Sequence, residues 1–305
     1  MRRRRNSLGK SPKAFRFAAS APEAPALEKQ MFIEDVELAG HIPHRNDAGE
    51  PNLELIGAEN DVETARGVLE SIGRDSYRIE SVIGSAIEDI VLNLAFHGEA
   101  FYEILQRSSE SGIELSSFSP ERVWTLPSFY VQLAPQDKLS RSNKRFVLMP
   151  KETVWCVRIP KVLGGTTGYR RILGSLKSWS GLGPKFLQED LEKRSFPRDF
   201  DFEAYRRMFL IHQMSVTADW GWNGRDWSLD HVTEYYQFYR HLTFKWAQAV
   251  LRDHVVTELN LLLRDLGINV EIAIRHFPTP EHILETREKL HLGVLDFTGA
   301  TNAIR

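Results

Sequence analysis

The stretch that decides the fold class is residues 90–105, Ile-Val-Leu-Asn-Leu-Ala-Phe-His-Gly-Glu-Ala-Phe-Tyr-Glu-Ile-Leu, because the hydrophobic period changes within it. Before Gly98, apolar residues recur at three- and four-residue steps, which predicts a buried helix over 77–96. After Gly98, a strand pattern over 100–106, a polar turn and a second strand over 113–118 predict a β-hairpin. A helix that leads directly into a hairpin indicates an α+β protein.

Short strand patterns continue beyond the hairpin. They lie at 123–126, 129–133, 145–148 and 154–159, and Ser, Pro, Asn and Asp residues connect them. Together with the hairpin they predict a small, mostly antiparallel sheet over 100–160. One more strand is predicted over 270–277.

Helical spacing dominates the remaining chain, which makes the predicted fold mainly helical. Further helices are predicted at 61–72, 169–195, 198–217, 229–266 and 280–290, the last one opened by Thr279. The helix over 229–266 would be about 57 Å long, so we expect one end to project like a stem or to pack against another subunit. Two helices broken near Lys245 or His254 are the alternative.

The order of elements divides the chain into four predicted regions. Residues 1–30 form a disordered basic tail, and 31–165 hold a helix pair with an antiparallel β region. Residues 166–267 form a helical, stem-like region. Residues 268–305 form a C-terminal strand and helix that return to the β region.

Composition and charge narrow the class of protein. The 305 residues are 42% hydrophobic and 26% charged, which is typical of a folded domain. Cys156 is the only cysteine, so an intramolecular disulfide is excluded. Apolar runs are too short for a membrane span. The segment 1–30 carries a net charge of +6 within a total of −2, so the remaining chain sums to −8.

A basic arm on a mildly acidic body is not the composition of a protein that grips DNA with its whole surface. The arm itself offers candidate contacts for DNA or an acidic partner, namely Arg2, Arg3, Arg4 and Arg5. A solvated tail is the alternative interpretation.

Motifs for catalysis or cofactor binding are weak, so no enzyme, metal or cofactor is predicted. The glycine-rich loop 163–171 lacks the Lys-Ser/Thr ending of a P-loop and is interpreted as a turn. Cys156 lies in an apolar strand pattern, which is typical of an inert thiol. A metal-dependent nuclease that uses Asp219, Asp226 and Asp230 is a less favoured alternative.

An aromatic run is the strongest candidate surface. It consists of Trp220, Trp222, Trp227, Tyr235, Tyr236 and Tyr239. Trp and Tyr bury large areas in cores and at protein contacts, so we interpret the run as a candidate subunit interface. The alternative is a module that stacks nucleic-acid bases or glycan rings on Trp220, Trp222 and Trp227.

The order of these motifs resembles that of tailed-bacteriophage portal proteins, the head-tail connector rings. In that family too, an apolar helix ends in an aromatic-x-Gly-x-Ala-aromatic turn and leads into a strand, as in 90–105. The line 115–123, Leu-Ser-Ser-Phe-Ser-Pro-Glu-Arg-Val, is similar to the family's Leu-x-x-Leu-x-Pro-x-x-Val. The ending Thr-Asn-Ala-Ile-Arg, 301–305, resembles that of the portal wing. Ala at 303, where Glu is common, and the absence of a long clip insert in 196–227 suggest a short or atypical member.

The resemblance implies a structural protein without a catalytic step. It implies a ring of about twelve copies, a dodecamer, at one capsid vertex. Double-stranded DNA would pass through it without sequence recognition during packaging and genome ejection, and the tail would attach to it. The implied location is the virion, after assembly in the host cytoplasm and away from membranes. Besides other copies of itself, the implied partners are the terminase large subunit, the major capsid or scaffold protein, and a head-tail adaptor.

The charge pattern agrees with this implication. A tunnel for a moving polyanion should bind it weakly, because every neutralised phosphate adds affinity. A ring of head-to-tail contacts also needs two different complementary patches on each subunit. The aromatic run and the Ile/Val face of residues 79–94 are the predicted patches.

Overall fold

The computed structural model describes residues 26–74, 76–106, 112–133, 146–180, 202–225 and 233–304, with the side chains of 179, 180 and 202–206 excepted. Its helices are α1 Leu27–Glu37, α2 Glu59–Ile72, α3 Ile79–His97, α4 Gly165–Ser180, α5 Phe202–Val216, α6 Glu234–Asp265, α7 Pro280–His291 and α8 Phe297–Ala303. Its strands are β1 Leu53–Gly57, β2 Glu99–Gln106, β3 Ile113–Phe118, β4 Val123–Thr125, β5 Phe129–Leu133, β6 Phe146–Pro150, β7 Val154–Arg158 and β8 Val270–Ile274. The predicted α+β, mainly helical class is confirmed.

The junction of α3 and β2 explains the change of period in the sequence. Gly98 has a φ of 76°, a left-handed conformation that favours glycine and ends helices. Its N–H donates to the carbonyl of Leu94 at 2.7 Å, and β2 begins at the next residue, Glu99. The chain therefore passes from helix to strand through a single glycine.

The described chain forms two compact units, each discontinuous in sequence. The first consists of Gly40–Arg158 and His254–His276. The second consists of residues 26–39, 159–253 and 277–304. Helix α6 therefore contributes residues to both units. The four regions predicted along the sequence stay a prediction, except that α1 begins at Leu27, within the segment predicted to be tail.

The first unit contains three small sheets, and all their described pairings are antiparallel. Strand β1 pairs with β8, so that Leu53 lies opposite Ile274. The other two sheets have the strand orders β3-β2-β7 and β4-β5-β6. The sequence predicted one sheet over 100–160, whereas the structure divides these strands between two, because β4 pairs only with β5 among the described strands. The bounds of β3 and β5 agree with the prediction.

The core of the first unit has two parts. The apolar stripe of α3 is fully buried, and α3 packs against α2 and β1. A second cluster is formed by buried side chains of five strands, namely Phe101, Phe118, Tyr130, Val147, Met149 and Val154.

The second unit contains α1, α4, α5, α7, α8 and the N-terminal part of α6. Thr279 caps α7 by accepting a hydrogen bond from the N–H of His282, and Pro280 occupies the first turn, so this predicted start is confirmed. Leu242, Leu290 and Ala300 form one core cluster, with Phe238 and Phe297 packed against it.

Helix α6 is continuous over 32 residues, about 48 Å. The alternative of two helices broken near Lys245 or His254 is therefore wrong. Buried side chains occur in every turn from Gln237 to Leu263. The expectation that one end projects or packs against another subunit stays a prediction.

Candidate functional site

The two described tryptophans of the aromatic run lie in the interior of the second unit. Trp220 and Trp222 are 0% and 2% exposed. The ring centroid of Phe32 in α1 lies 5.7 Å from that of Trp220 and 5.2 Å from that of Trp222. Tyr169 of α4 joins the cluster at 5.4 Å from Trp220. Each such edge-to-face or tilted pair adds about 0.5–1.5 kcal/mol beyond its buried area.

Because Trp220 and Trp222 are buried, the hypothesis that they stack nucleic-acid bases or glycan rings is wrong for these two residues. A base or sugar stacks on an exposed ring face, and neither Trp220 nor Trp222 has one. The Nε1–H of Trp220 donates to the carbonyl of Leu163 at 3.2 Å, so its polar atom is used inside the unit as well. Trp227 lies outside the described residues.

Two glycines shape the turn that carries these tryptophans. Gly221 and Gly224 both have a φ of 72°. A Cβ at Gly221 would lie 2.5 Å from the carbonyl oxygen of Arg240, and one at Gly224 would overlap the side-chain amide of Gln213. The turn therefore passes directly against the backbone of α6 at Gly221, where only glycine fits, and the left-handed φ at Gly224 favours glycine there as well.

Arg240 of α6 holds the turn with a buried guanidinium. Its Nη2 donates to the carbonyl of Trp222 at 2.7 Å and to Oγ1 of Thr217 at 3.3 Å, and its Nε donates to Oδ1 of Asn223 at 3.0 Å. Burial lowers the pKa of Arg240, and Tyr236 opposes that shift through its charge and a hydrogen bond. These contacts indicate a structural role, in which one cation satisfies the polar groups of the turn.

Asp35 ties α1 to the same turn. Its Oδ2 accepts from Trp222 Nε1 at 2.7 Å, and its Oδ1 accepts from Arg225 Nη2 at 3.0 Å. Arg225 also donates to Glu34 at 2.7 Å. The backbone carbonyl of Asp35 accepts from Gln248 of α6 at 2.7 Å. Sequence reasoning missed Asp35 and Arg240, although a charged residue within the apolar run of α6 was a signal for the latter.

A cavity of about 200 Å³ lies beside the turn. Its lining comprises Asp35, Leu38, Gly221, Trp222, Asn223, Gly224, Arg225, His241, Phe244, Lys245 and Gln248. Burial and the charge of Lys245 lower the pKa of His241 to about 4, so this imidazole is neutral at pH 7. Burial also lowers the pKa of Lys245, and Asp35 opposes that shift. The charged residues of this lining, Asp35, Arg225 and Lys245, are of both signs.

The tyrosines of the aromatic run lie nearer the surface. Tyr235 and Tyr236 are 37% and 42% exposed. The hydroxyl of Tyr235 lies 3.0 Å from Nδ1 of His291, and the guanidinium of Arg287 lies 5.1 Å from the ring centroid of Tyr239. Among the described residues of the run, Tyr235 and Tyr236 offer the exposed area that a subunit contact needs, and this use of them stays a prediction.

The second patch predicted from the sequence is in the core. The Ile and Val side chains of α3, from Val82 to Val91, are buried completely within the first unit. They are therefore not accessible to another subunit, which corrects the expectation. The buried helix was correctly predicted, and its use as a contact surface was wrong.

Most of the residues considered for chemistry lie outside the described part of the chain. Asp219 is exposed, and Asp226 and Asp230 lie outside the described residues, as do Arg2, Arg3, Arg4 and Arg5. Within the described ranges, no three His, Cys, Asp or Glu side chains are placed to hold a metal ion. Burial raises the pKa of the Cys156 thiol to about 12, which makes it a poor nucleophile.

The glycine-rich loop is a turn. The N–H groups of Gly164, Gly165 and Gly168 donate to the carbonyls of Lys161, Pro160 and Gly164. These amides are the groups that a phosphate cradle would point at its ligand, and here they are engaged by the chain itself. Of the helices described, none is both long and apolar enough to cross a membrane.

Comparisons with known proteins give weak likenesses only. No protein-family model and no curated protein matches the chain. One similar solved structure is "Virion of native gene transfer agent (GTA) particle", which is 10% identical and matches 88% of this chain and 85% of that chain with a TM-score of 0.46. Another is "Neck of native GTA particle computed with C12 symmetry", which is 10% identical and matches 90% of this chain and 87% of that chain with a TM-score of 0.47. Such values assign no function to this chain.

Proposed function

We propose that this chain is a structural subunit of a portal-type ring at a capsid vertex of a phage-like particle. The observation that carries the proposal is the resemblance of 90–105 to the portal motif, together with the geometry of that stretch. Helix α3, the left-handed Gly98 and strand β2 follow one another without an intervening loop. The segment 115–123 covers most of β3, a turn and the start of β4.

The proposed role is mechanical. Copies of the chain surround an axis, and double-stranded DNA passes along it during packaging and ejection. A net charge of −8 outside the segment 1–30 supports weak contact with DNA along most of the subunit. The terminase large subunit, the capsid or scaffold protein and a head-tail adaptor are the proposed partners, and the virion is the proposed location.

The oligomeric state of the purified protein tests this proposal. We expect mass photometry to show a species of about twelve subunits, on the order of 420 kDa for a chain of 35.0 kDa. Negative-stain images should show rings with a central opening. A strictly monomeric protein at every concentration and ionic strength would contradict the proposal.

A further inference from the structure

The sheet of β4, β5 and β6 carries apolar side chains on both faces, although Thr125 and Gln132 lie on one of them. Trp124 lies opposite Val131, and Val131 lies opposite Leu148, so these three side chains share one face. Counting by two along the strands, the residues of this outer face are Trp124, Phe129, Val131, Leu133, Phe146, Leu148 and Pro150.

The opposite face of the same sheet already forms part of the core of its unit. Tyr130, Val147 and Met149 are buried there, and the first of these contacts Phe101 with ring centroids 5.2 Å apart. An antiparallel sheet with one buried face normally presents polar residues on the other. The outer face departs from that rule at every position.

The outer face is exposed in the single chain. Trp124 and Phe146 are each 50% exposed, Leu148 is 59% exposed and Phe129 is 44% exposed. At roughly 200 Å² for each side chain, these four leave on the order of 400 Å² of apolar surface. That is about the size of the largest apolar patch on a typical monomer, which is often functional, and about half of what one partner contributes to a standard protein–protein interface.

The rim of the face favours a protein partner over a polyanion. Among the described residues, the exposed charged ones next to it in sequence are of both signs, namely Glu121, Arg122, Lys151 and Glu152. DNA or an anionic membrane would select a basic rim. An apolar centre with a mixed-charge rim is typical of a contact between folded protein subunits.

We infer that the outer face of the β4-β5-β6 sheet is a subunit contact, covered by a different surface of a second copy of this chain. The inference rests on the proposed ring, because a head-to-tail ring requires an apolar patch that another surface of the next subunit covers. The area is that of an interface centre, and the polar remainder of the contact surrounds it.

A charge introduced into the face tests the inference. Leu148→Glu should lower the ring fraction at least about tenfold at a concentration where the wild type is mostly ring, because the contact would bury an unpaired carboxylate. The matched control is Leu292→Glu, because Leu292 is a leucine of the second unit that is 67% exposed. The control should assemble like the wild type. Circular dichroism of both variants reports whether the subunit stays folded.

A second measurement does not depend on a disruptive variant. Replacement of Phe146 by the photo-crosslinker p-benzoylphenylalanine should give covalent dimers and higher species on irradiation of rings. Mass spectrometry should locate the second end of the crosslink outside residues 123–150 of the neighbouring copy.

The outcomes separate this inference from the proposed function. If the wild type forms no ring, both fail. If rings form but Leu148→Glu assembles normally, or Phe146 gives only products within one subunit, the inference fails and the ring stands. A crosslink from Phe146 to the same face of the neighbour, or loss of rings in the Leu292→Glu control, also overturns it.

Discussion

Arg240 shows how much of this fold depends on single buried polar residues. One guanidinium joins the carbonyl of Trp222, the hydroxyl of Thr217 and the amide of Asn223, and so fixes a turn that has left-handed glycines at two positions. Removing a partner from buried polar groups costs about 1–3 kcal/mol for each group left unsatisfied. The turn that carries Trp220 and Trp222 is therefore held in place by hydrogen bonds inside the unit.

A buried histidine beside that turn gives a prediction about pH. The pKa of His241 is lowered to about 4 from 6.5, so the unfolded chain takes up this proton first as the pH falls. The contribution of the neutral His241 to the free energy of unfolding is complete above about pH 6.5 and is lost as the pH falls toward 4. Between pH 7 and pH 4.5 the wild type should lose about 2–3 kcal/mol more unfolding free energy than His241→Gln, as measured by chemical denaturation.

The control for this measurement is the exposed His291. His291→Gln should keep the pH dependence of the wild type. Equal pH dependence in the wild type and His241→Gln would show that His241 is not held neutral by the fold.

At the scale of elements, the helices and strands differ in how well local sequence specifies them. The bounds of β3 and β5 follow from short apolar stretches between polar turns, and α7 follows from Thr279 and Pro280. Strand β1 was missed because its partner, β8, is distant in sequence and no local pattern reveals the pairing. Helix α1 was missed because a composition rich in Ala, Pro and Ser precedes it, while its buried Phe32 and Val36 are recognisable only from their contacts.

The candidate surfaces were harder to predict than the elements. A pattern identifies apolar residues but does not say which of them remain exposed. Trp220 and the Ile/Val face of α3 are in the core, whereas the apolar residues Trp124 and Leu148 are exposed. In strands β5 and β6, polar and apolar residues do not alternate clearly, which was a signal that both faces of the sheet carry apolar side chains.

Replacing two glycines, one at the end of α3 and one inside α2, by alanine should change the free energy of unfolding in opposite directions. Gly98 ends α3 in the left-handed region, so Gly98→Ala should cost about 1–2 kcal/mol of unfolding free energy. Gly67 lies inside α2, and a Cβ there meets no atom within 4 Å. Gly67→Ala should therefore stabilise the protein by about 0.5–1 kcal/mol. Thermal and chemical denaturation of both variants measure the difference, and shifts of the same sign would contradict this assignment.

At the scale of the whole molecule, charge is divided unevenly between the basic segment 1–30 and the acidic remainder. Attraction to DNA should therefore reside in the arm rather than in the body of the subunit. This separation would suit the proposed conduit, because affinity confined to a short segment does not slow a polyanion along the whole wall.

The salt dependence of DNA binding measures this division. For random-sequence duplex DNA, replacing Arg2, Arg3, Arg4 and Arg5 by Ala should reduce the slope of log affinity against log salt by up to about 4. Fluorescence anisotropy at several salt concentrations gives that slope. Replacing the exposed Arg170 and Arg171 of α4 by Ala is the control and should change it little. An unchanged slope in the arm variant would place the DNA contacts elsewhere.

The pairing of β1 with β8 sets the moment at which a newly made chain can finish folding. Residues 53–57 leave the ribosome long before their partner strand, residues 270–274, has been translated. The first unit therefore stays incomplete until β8 emerges, since closing so long a loop must wait for its second end. A product that terminates before that strand lacks the partner of β1, so the backbone groups that β8 would pair stay open in it.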